Sequence, residues 1–346
     1  MLGDSLLMEI RKNERRGFAN FVSKKTGIKS IDLVEWDYII HTILKELEKD
    51  PAFRENYVFK GGTCLVKCHL GYYRFSRDLD FAYRPTDELR GMSRSKLKKF
   101  LNEETGRIAE ILRCVARDLG LEFHYTDHGD FNNHRYFSFL LGPGWFREII
   151  LYSPLGEKIK IEINYAERLA FKPKTLKANT LLSWKRVELT SREYEKYIEL
   201  LGNYYPVSLT AYSDREILVE KVRALLTRKE FKLRDLYDLY KLHQQGLGIS
   251  RYSKEIEGKI RDYLNLSSTA AENLKNSVRA LKNGGFLSNL EPEIERDIGL
   301  IVEPFSREEF LNFVRKLRLE LLDIAERLED LVEVKTDDRI GHTPSR

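Results

Sequence analysis

The stretch FKGGTCLVKCHLGYYRFSRDLDF, residues 59–81, decides the reading of this chain. It joins a Gly61-Gly62-Thr63 turn to an Asp78-Leu79-Asp80 segment followed by an aromatic residue. In a strand, residues two apart point to one side, so Asp78 and Asp80 share a face while Leu79 and Phe81 bury the other. Like charges on neighbouring same-face positions repel, and a bound cation is the simplest relief. Hard divalent ions such as Mg2+ or Mn2+ take one or two carboxylates and leave their other positions to water and phosphate oxygens. Taken alone, Asp-x-Asp also fits a surface turn. Its surroundings argue for a site.

The glycine turn follows an apolar strand, Tyr57-Val58-Phe59, and opens a short helix, TCLVKCHL. Glycine lets the backbone approach a ligand, and N–H groups at a helix start attract phosphate oxygens, with the Thr63 hydroxyl as a further donor. The Walker pattern GxxxxGK[ST] is absent. Further on, KIKIEINY sets Ile159, Ile161 and Ile163 on one strand face and Lys160, Glu162 and Asn164 on the other. If this strand lies beside the aspartates, Glu162 becomes a third carboxylate on their face. Three carboxylates on adjacent strands are what metal-assisted phosphoryl transfer needs.

Phe59-Lys60-Gly61-Gly62-Thr63, then Arg74-Phe75-Ser76-Arg77-Asp78-Leu79-Asp80-Phe81, then KIEIN are joined downstream by two further motifs. These are Arg215-Glu216-Ile217-Leu218-Val219-Glu220-Lys221 and Arg234-Asp235-Leu236-Tyr237-Asp238-Leu239. In this order and spacing, from about residue 56 to 242, the chain resembles the AbiEii/AbiGii toxin family of nucleotidyltransferases in the polymerase-beta-like superfamily. Superfamily members generally open the first motif with Gly-Ser; Thr63 stands at the serine position and keeps the hydroxyl. The resemblance implies an α+β fold, a nucleotidyltransferase core with mixed sheet plus a helical C-terminal domain. It implies an enzyme that moves a nucleoside monophosphate from an NTP to an acceptor, with Mg2+ or Mn2+ held by Asp78, Asp80 and Glu162. Lys221 and Asp235 join those three as catalytic residues. Lys60, Gly61, Gly62, Thr63, Arg74, Ser76, Lys160, Arg234 and Asp238 are the candidates for nucleotide binding. The resemblance further implies the toxin of a toxin–antitoxin or abortive-infection system acting on RNA, at the acceptor end of tRNA, with a cognate antitoxin as partner. A small-molecule or protein acceptor is the enzymatic alternative. The other is a non-catalytic member that binds RNA or a partner protein, which would gain nothing from keeping repulsive acids together.

On their own terms, Ser213 and Glu216 form a capping-box pattern that predicts a helix from Asp214 to about Lys229. Ile217, Lys221 and Leu225 then line one face. A lysine inside an apolar stripe either snorkels to water or meets a buried anion; the resemblance sets it against the nucleotide phosphates. Asp235 and Asp238 share a side near a helix start, where the helix dipole alone favours carboxylates. The resemblance makes one of them, Asp235 first, an orienting group for the lysine or the attacking hydroxyl. Arg234 either pairs with one of them or reaches a phosphate.

At 346 residues the chain has room for two domains and a substantial core. The pattern divides it into an N-terminal helical segment packed on the core (1–55), an α+β domain (56–205), a helical domain (206–334) and a frayed tail (335–346). Helical spacing in IDLVEWDYIIHTILKELEK ends at Asp50-Pro51, and 93–119 reads as one long helix. No apolar run of about 18 residues and no secretory h-region is present, so a cytoplasmic protein without membrane association is expected. Cys64, Cys68 and Cys114 are an odd, unpatterned set suited to a reducing compartment. The net charge is only +5, yet 90–99 and 171–187 each carry five basic and no acidic residues. These windows are either solvated surface or a footprint for a polyanion. His124, His128 and His134 read as an exposed loop, and Cys64 and Cys68 as core thiols, since no second pair completes a zinc site.

Overall fold

The computed structural model describes residues 2–125, 131, 133–142, 144–267, 269–285, 298–304 and 306–340. The chain forms two compact units, Met1–Glu167 with Pro173–Tyr212, and Arg168–Lys172 with Ser213–Arg346.

The first unit is built on a seven-stranded sheet: β1 Tyr57–Lys60, β2 Leu79–Tyr83, β3 Phe137–Leu140, β4 Phe146–Tyr152, β5 Lys158–Asn164, β6 Lys174–Ala178 and β7 Val207–Ala211. Their spatial order is β3-β4-β5-β2-β1-β7-β6. The β2–β5 and β1–β7 pairs are parallel and the remaining pairs antiparallel, so the sheet is mixed. Alternation fixes which way it faces. Ile159, Ile161, Ile163, Leu79, Phe59 and Phe81 are buried on one side, and a one-residue slip would turn that whole apolar set to water. Because β7 belongs to this sheet, the first unit runs to Tyr212, past the 205/206 boundary that the sequence pattern gives.

The N-terminal helices belong to the same unit as the sheet. Ser30 caps Ile31–Lys49 by accepting the Leu33 N–H at 3.3 Å. Asp50 ends that helix and caps the next, Pro51–Asn56, accepting the Phe53 N–H at 2.7 Å. The long helix thus ends at Asp50-Pro51 as expected, and Pro51 opens a further turn, where its missing N–H costs nothing. Arg94–Leu119 starts at the Ser93 cap and stops on Gly120 at φ 63, close to the expected 93–119. No helix among the described residues is long and apolar enough to cross a membrane.

The second unit contains the helices Asp214–Thr227, Leu233–Gln244, Ser253–Leu266, Ala270–Lys282 and Arg307–Ile340. Leu218, Val222, Leu236, Leu239, Ile260, Leu274, Val278, Phe310, Val314 and Leu321 form its core. The last helix continues beyond Lys335, where fraying was expected, as far as Ile340; residues 341–346 lie outside the described residues.

Candidate active site

Four charged residues stand in register across the first unit's sheet. Lys60 on β1 faces Asp80 on β2, Asp80 sits beside Glu162 on β5, and Glu162 faces Glu148 on β4. Register partners share a face, so the condition attached to Glu162 in the sequence, that its strand neighbour the aspartate strand, is met. Asp78 lies just ahead of β2, two residues before Asp80.

The glycine turn is shaped by the site's own side chains. Gly61 has φ +78, and a Cβ there would run into the Asp80 carboxylate; one at Gly62 would meet the Arg74 guanidinium. Thr63 is buried, and its hydroxyl bonds the Asp78 carbonyl, which can only accept, and the Ser76 hydroxyl at 2.9 Å. It therefore ties down the loop that carries Asp78. Arg74 is also buried, donating to the Phe75 carbonyl at 2.8 Å. Lys60 is buried and ion-paired with Glu167, 5.7 Å from the Tyr212 ring centroid. Gly61→Ala adds left-handed strain to a collision with Asp80, so it should destabilise by about 1–3 kcal/mol and cut nucleotide transfer. Gly17→Ala, on a helix with nothing within 4 Å of the added methyl, should be neutral or slightly stabilising. Paired melting curves and turnover measurements check both.

Burial pushes the Glu162 carboxyl up to about 8, helped by the charges of Asp80 and Asp78, a hydrogen bond with Asp80, and Glu148. Burial would lower Lys160. Its hydrogen bond to Glu148 at 3.0 Å and the charges of Glu148, Glu162 and Asp78 win, holding it above its ordinary value. Among the described residues no three His, Cys, Asp or Glu groups already converge as a metal cluster. Two touching carboxylates, Asp80 and Glu162, with Asp78 acting on them, nonetheless supply the hard oxygen donors that Mg2+ or Mn2+ prefers, and a proton on Glu162 relieves their repulsion in the cation's place.

A pH dependence follows. Between the ordinary carboxylate range and about 8 the folded protein holds a proton on Glu162 that the unfolded chain has released. Stability of the metal-free protein should therefore fall as pH rises through that window and level off above it. Melts in chelator from about pH 5 to about pH 9 should show this slope, and Glu162→Gln should flatten it. Added divalent cation competes with that proton, so its stabilising effect should grow with pH.

In the second unit, Ser213 accepts the Glu216 N–H at 3.2 Å, as the capping pattern predicts. The buried Glu216 carboxylate accepts the Phe171 N–H at 2.7 Å and pairs with Lys259. Lys221 meets a buried anion in duplicate, with Nζ 2.5 Å from Asp235 and 2.7 Å from Asp238. Arg228 bonds the other oxygen of Asp235 at 2.7 Å, while Arg234 adds its charge. Burial would raise Asp235, but Lys221 and Arg228 hold it well below the usual carboxylate range.

The lysines and arginines of 94–99 and 172–186 are exposed. His124 and His134 are exposed as expected, and His128 lies outside the described residues. Cys64 is buried, Cys68 half-buried and Cys114 exposed. Glu148, Glu167 and Arg228 were missed in the sequence. For Glu148 a signal existed, its place in the strand-like run Phe146-Arg147-Glu148-Ile149-Ile150-Leu151-Tyr152; for the other two there was none.

A family model described as nucleotidyl transferase AbiEii toxin, type IV toxin–antitoxin system, matches residues 42–338 of the chain. No curated protein matches it.

Proposed function

Since the chain belongs to the AbiEii family of nucleotidyltransferase toxins, we propose that it transfers a nucleoside monophosphate from an NTP to RNA, at the 3′ end of tRNA, and releases pyrophosphate. Its first unit is then a polymerase-beta-like core and its second a helical C-terminal domain. The observation that carries this reading is the register of Asp80 beside Glu162, with Asp78 two residues away, behind a glycine turn.

Asp78, Asp80 and Glu162 are the residues that would hold Mg2+ or Mn2+. When bound, such an ion supplies charge stabilisation to phosphate oxygens and lowers the pKa of an attacking hydroxyl. Gly61 and Gly62 let the backbone come close to the triphosphate, and Thr63, with Ser76, keeps the Asp78 loop in place for it. Glu162 would complete the site near the attacking group, as a base once it gives up its proton. In the second unit, Lys221 and Asp235 are assigned to the nucleotide by the same family reading, with Asp235 and Asp238 both fixing the ammonium.

The exposed basic windows support a polyanionic acceptor. An enzyme acting on NTP and RNA would work in the cytoplasm, and the type IV system implies a cognate antitoxin. Incubation with each labelled NTP, Mg2+ and total RNA tests the proposal. Label should enter small RNA, and tRNA affinity should fall steeply with added salt as counterions are released. Label in a metabolite or protein, or a salt-independent affinity, would overturn the RNA acceptor.

A further inference from the structure

Glu148 takes part in none of these steps, and its position is unfavourable for stability. It stands directly opposite Glu162 in the β4–β5 register, so the two become a like-charge pair whenever Glu162 gives up its proton, for instance to a cation. Its side chain is 14% exposed, so water screens it poorly. What it holds is Lys160, at 3.0 Å. Lys160 pairs in register with Ile150, two residues along from Glu148, so this is a diagonal cross-strand contact. The other end of the row repeats the arrangement, with Lys60 facing Asp80 and ion-paired with Glu167. Each lysine beside the three acids is thus tied to a glutamate outside them. An untethered Lys160, on the same strand face as Glu162 and two residues away, has the length to fold onto Glu162.

We infer that Glu148 is a positioning residue that holds the Lys160 ammonium off Glu162 and Asp80, keeping those carboxylates open to a divalent cation. The inference rests on the proposed cation seat and adds to it a competition between an ammonium and the ion for the same oxygens. Lys160 lowers the repulsion among the acids while the seat is empty, and Glu148 stops it from filling the seat.

Mn2+ binding to the full chain without nucleotide, read by electron paramagnetic resonance, tests this apart from activity. Glu148→Gln should weaken Mn2+ binding about tenfold, the lower end for a residue behind a metal ligand. In a Lys160→Met background the same change should shift affinity less than about twofold, because nothing remains to hold back. Equal losses in both backgrounds would show that Glu148 acts only through its own charge and would overturn the inference. Glu148→Ala, which has no side-chain acceptor for Lys160, gives a second variant with the same expected dependence on Lys160, and melts in chelator confirm folding. Asp80→Asn should abolish Mn2+ binding in every background. If it does not, or if the unaltered chain binds no Mn2+, the cation seat itself has failed.

Discussion

Asp80→Asn is expected to reduce nucleotide transfer by about three orders of magnitude or more, the scale of losing a group that acts on charge in the transition state, while the protein stays folded. Asp80 is half-buried, hydrogen-bonded to Glu162 and seated in space that Gly61 leaves by lacking a Cβ. Asparagine keeps that volume and removes one of the charges that push Glu162 up. The metal-free variant should therefore melt at the same temperature or higher, since relieving repulsion between buried acids stabilises. Its pH slope should also shrink, because Glu162 returns toward the ordinary carboxylate range. Near-normal transfer in a folded Asp80→Asn protein would remove this residue from the chemistry.

The second large effect is on stability. Lys221→Met keeps most of the side-chain volume but leaves Asp235 and Asp238 without the ammonium they share, and their side chains are 4% and 0% exposed. Removing one partner of a buried ionic set costs about 3–5 kcal/mol because the remaining charge has no compensation. For a unit of this size that lowers the melting temperature by about 10 °C or more. Arg228 still bonds Asp235 at 2.7 Å, and neutralising one of the two acids removes the repulsion between them that the ammonium had offset. Lys221→Met combined with Asp238→Asn should recover much of the lost stability while transfer stays low. A single variant that melts like the unaltered chain would show that the two aspartates do not depend on Lys221. Transfer must accordingly be measured below the variant's own melting transition.

Much of the candidate site is legible in the sequence, because strand alternation is a local property. Asp80 and Glu162 could be assigned to faces by counting residues, and Ile159, Ile161 and Ile163 settled the direction. What counting cannot supply is which strands are neighbours. The β2–β5 pairing is parallel and spans some 80 residues of chain, a separation over which no local pattern specifies neighbours. The same reason kept the ion pairs of Glu148 with Lys160 and of Glu167 with Lys60 out of reach of the sequence. Residue roles also shifted once partners were known. Thr63 and Arg74 are spacing-matched to phosphate contacts, yet both are buried and bonded inside the loop. Lys221, expected to choose between water and an anion, found two aspartates one helix away. Pro51 ends one helix and begins another equally well, and the Asp50 cap shows that it does both.

In the proposed function, Asp78, Asp80 and Glu162 hold the cation on which transfer depends. Crystals grown with Mn2+ and a non-hydrolysable NTP, measured for anomalous scattering, test it most directly. A manganese peak bonded to Asp80 and Glu162, with Asp78 and a phosphate oxygen completing its contacts, is expected. A well-ordered nucleotide whose manganese lies away from these carboxylates, or carboxylates without manganese beside a bound nucleotide, would contradict it.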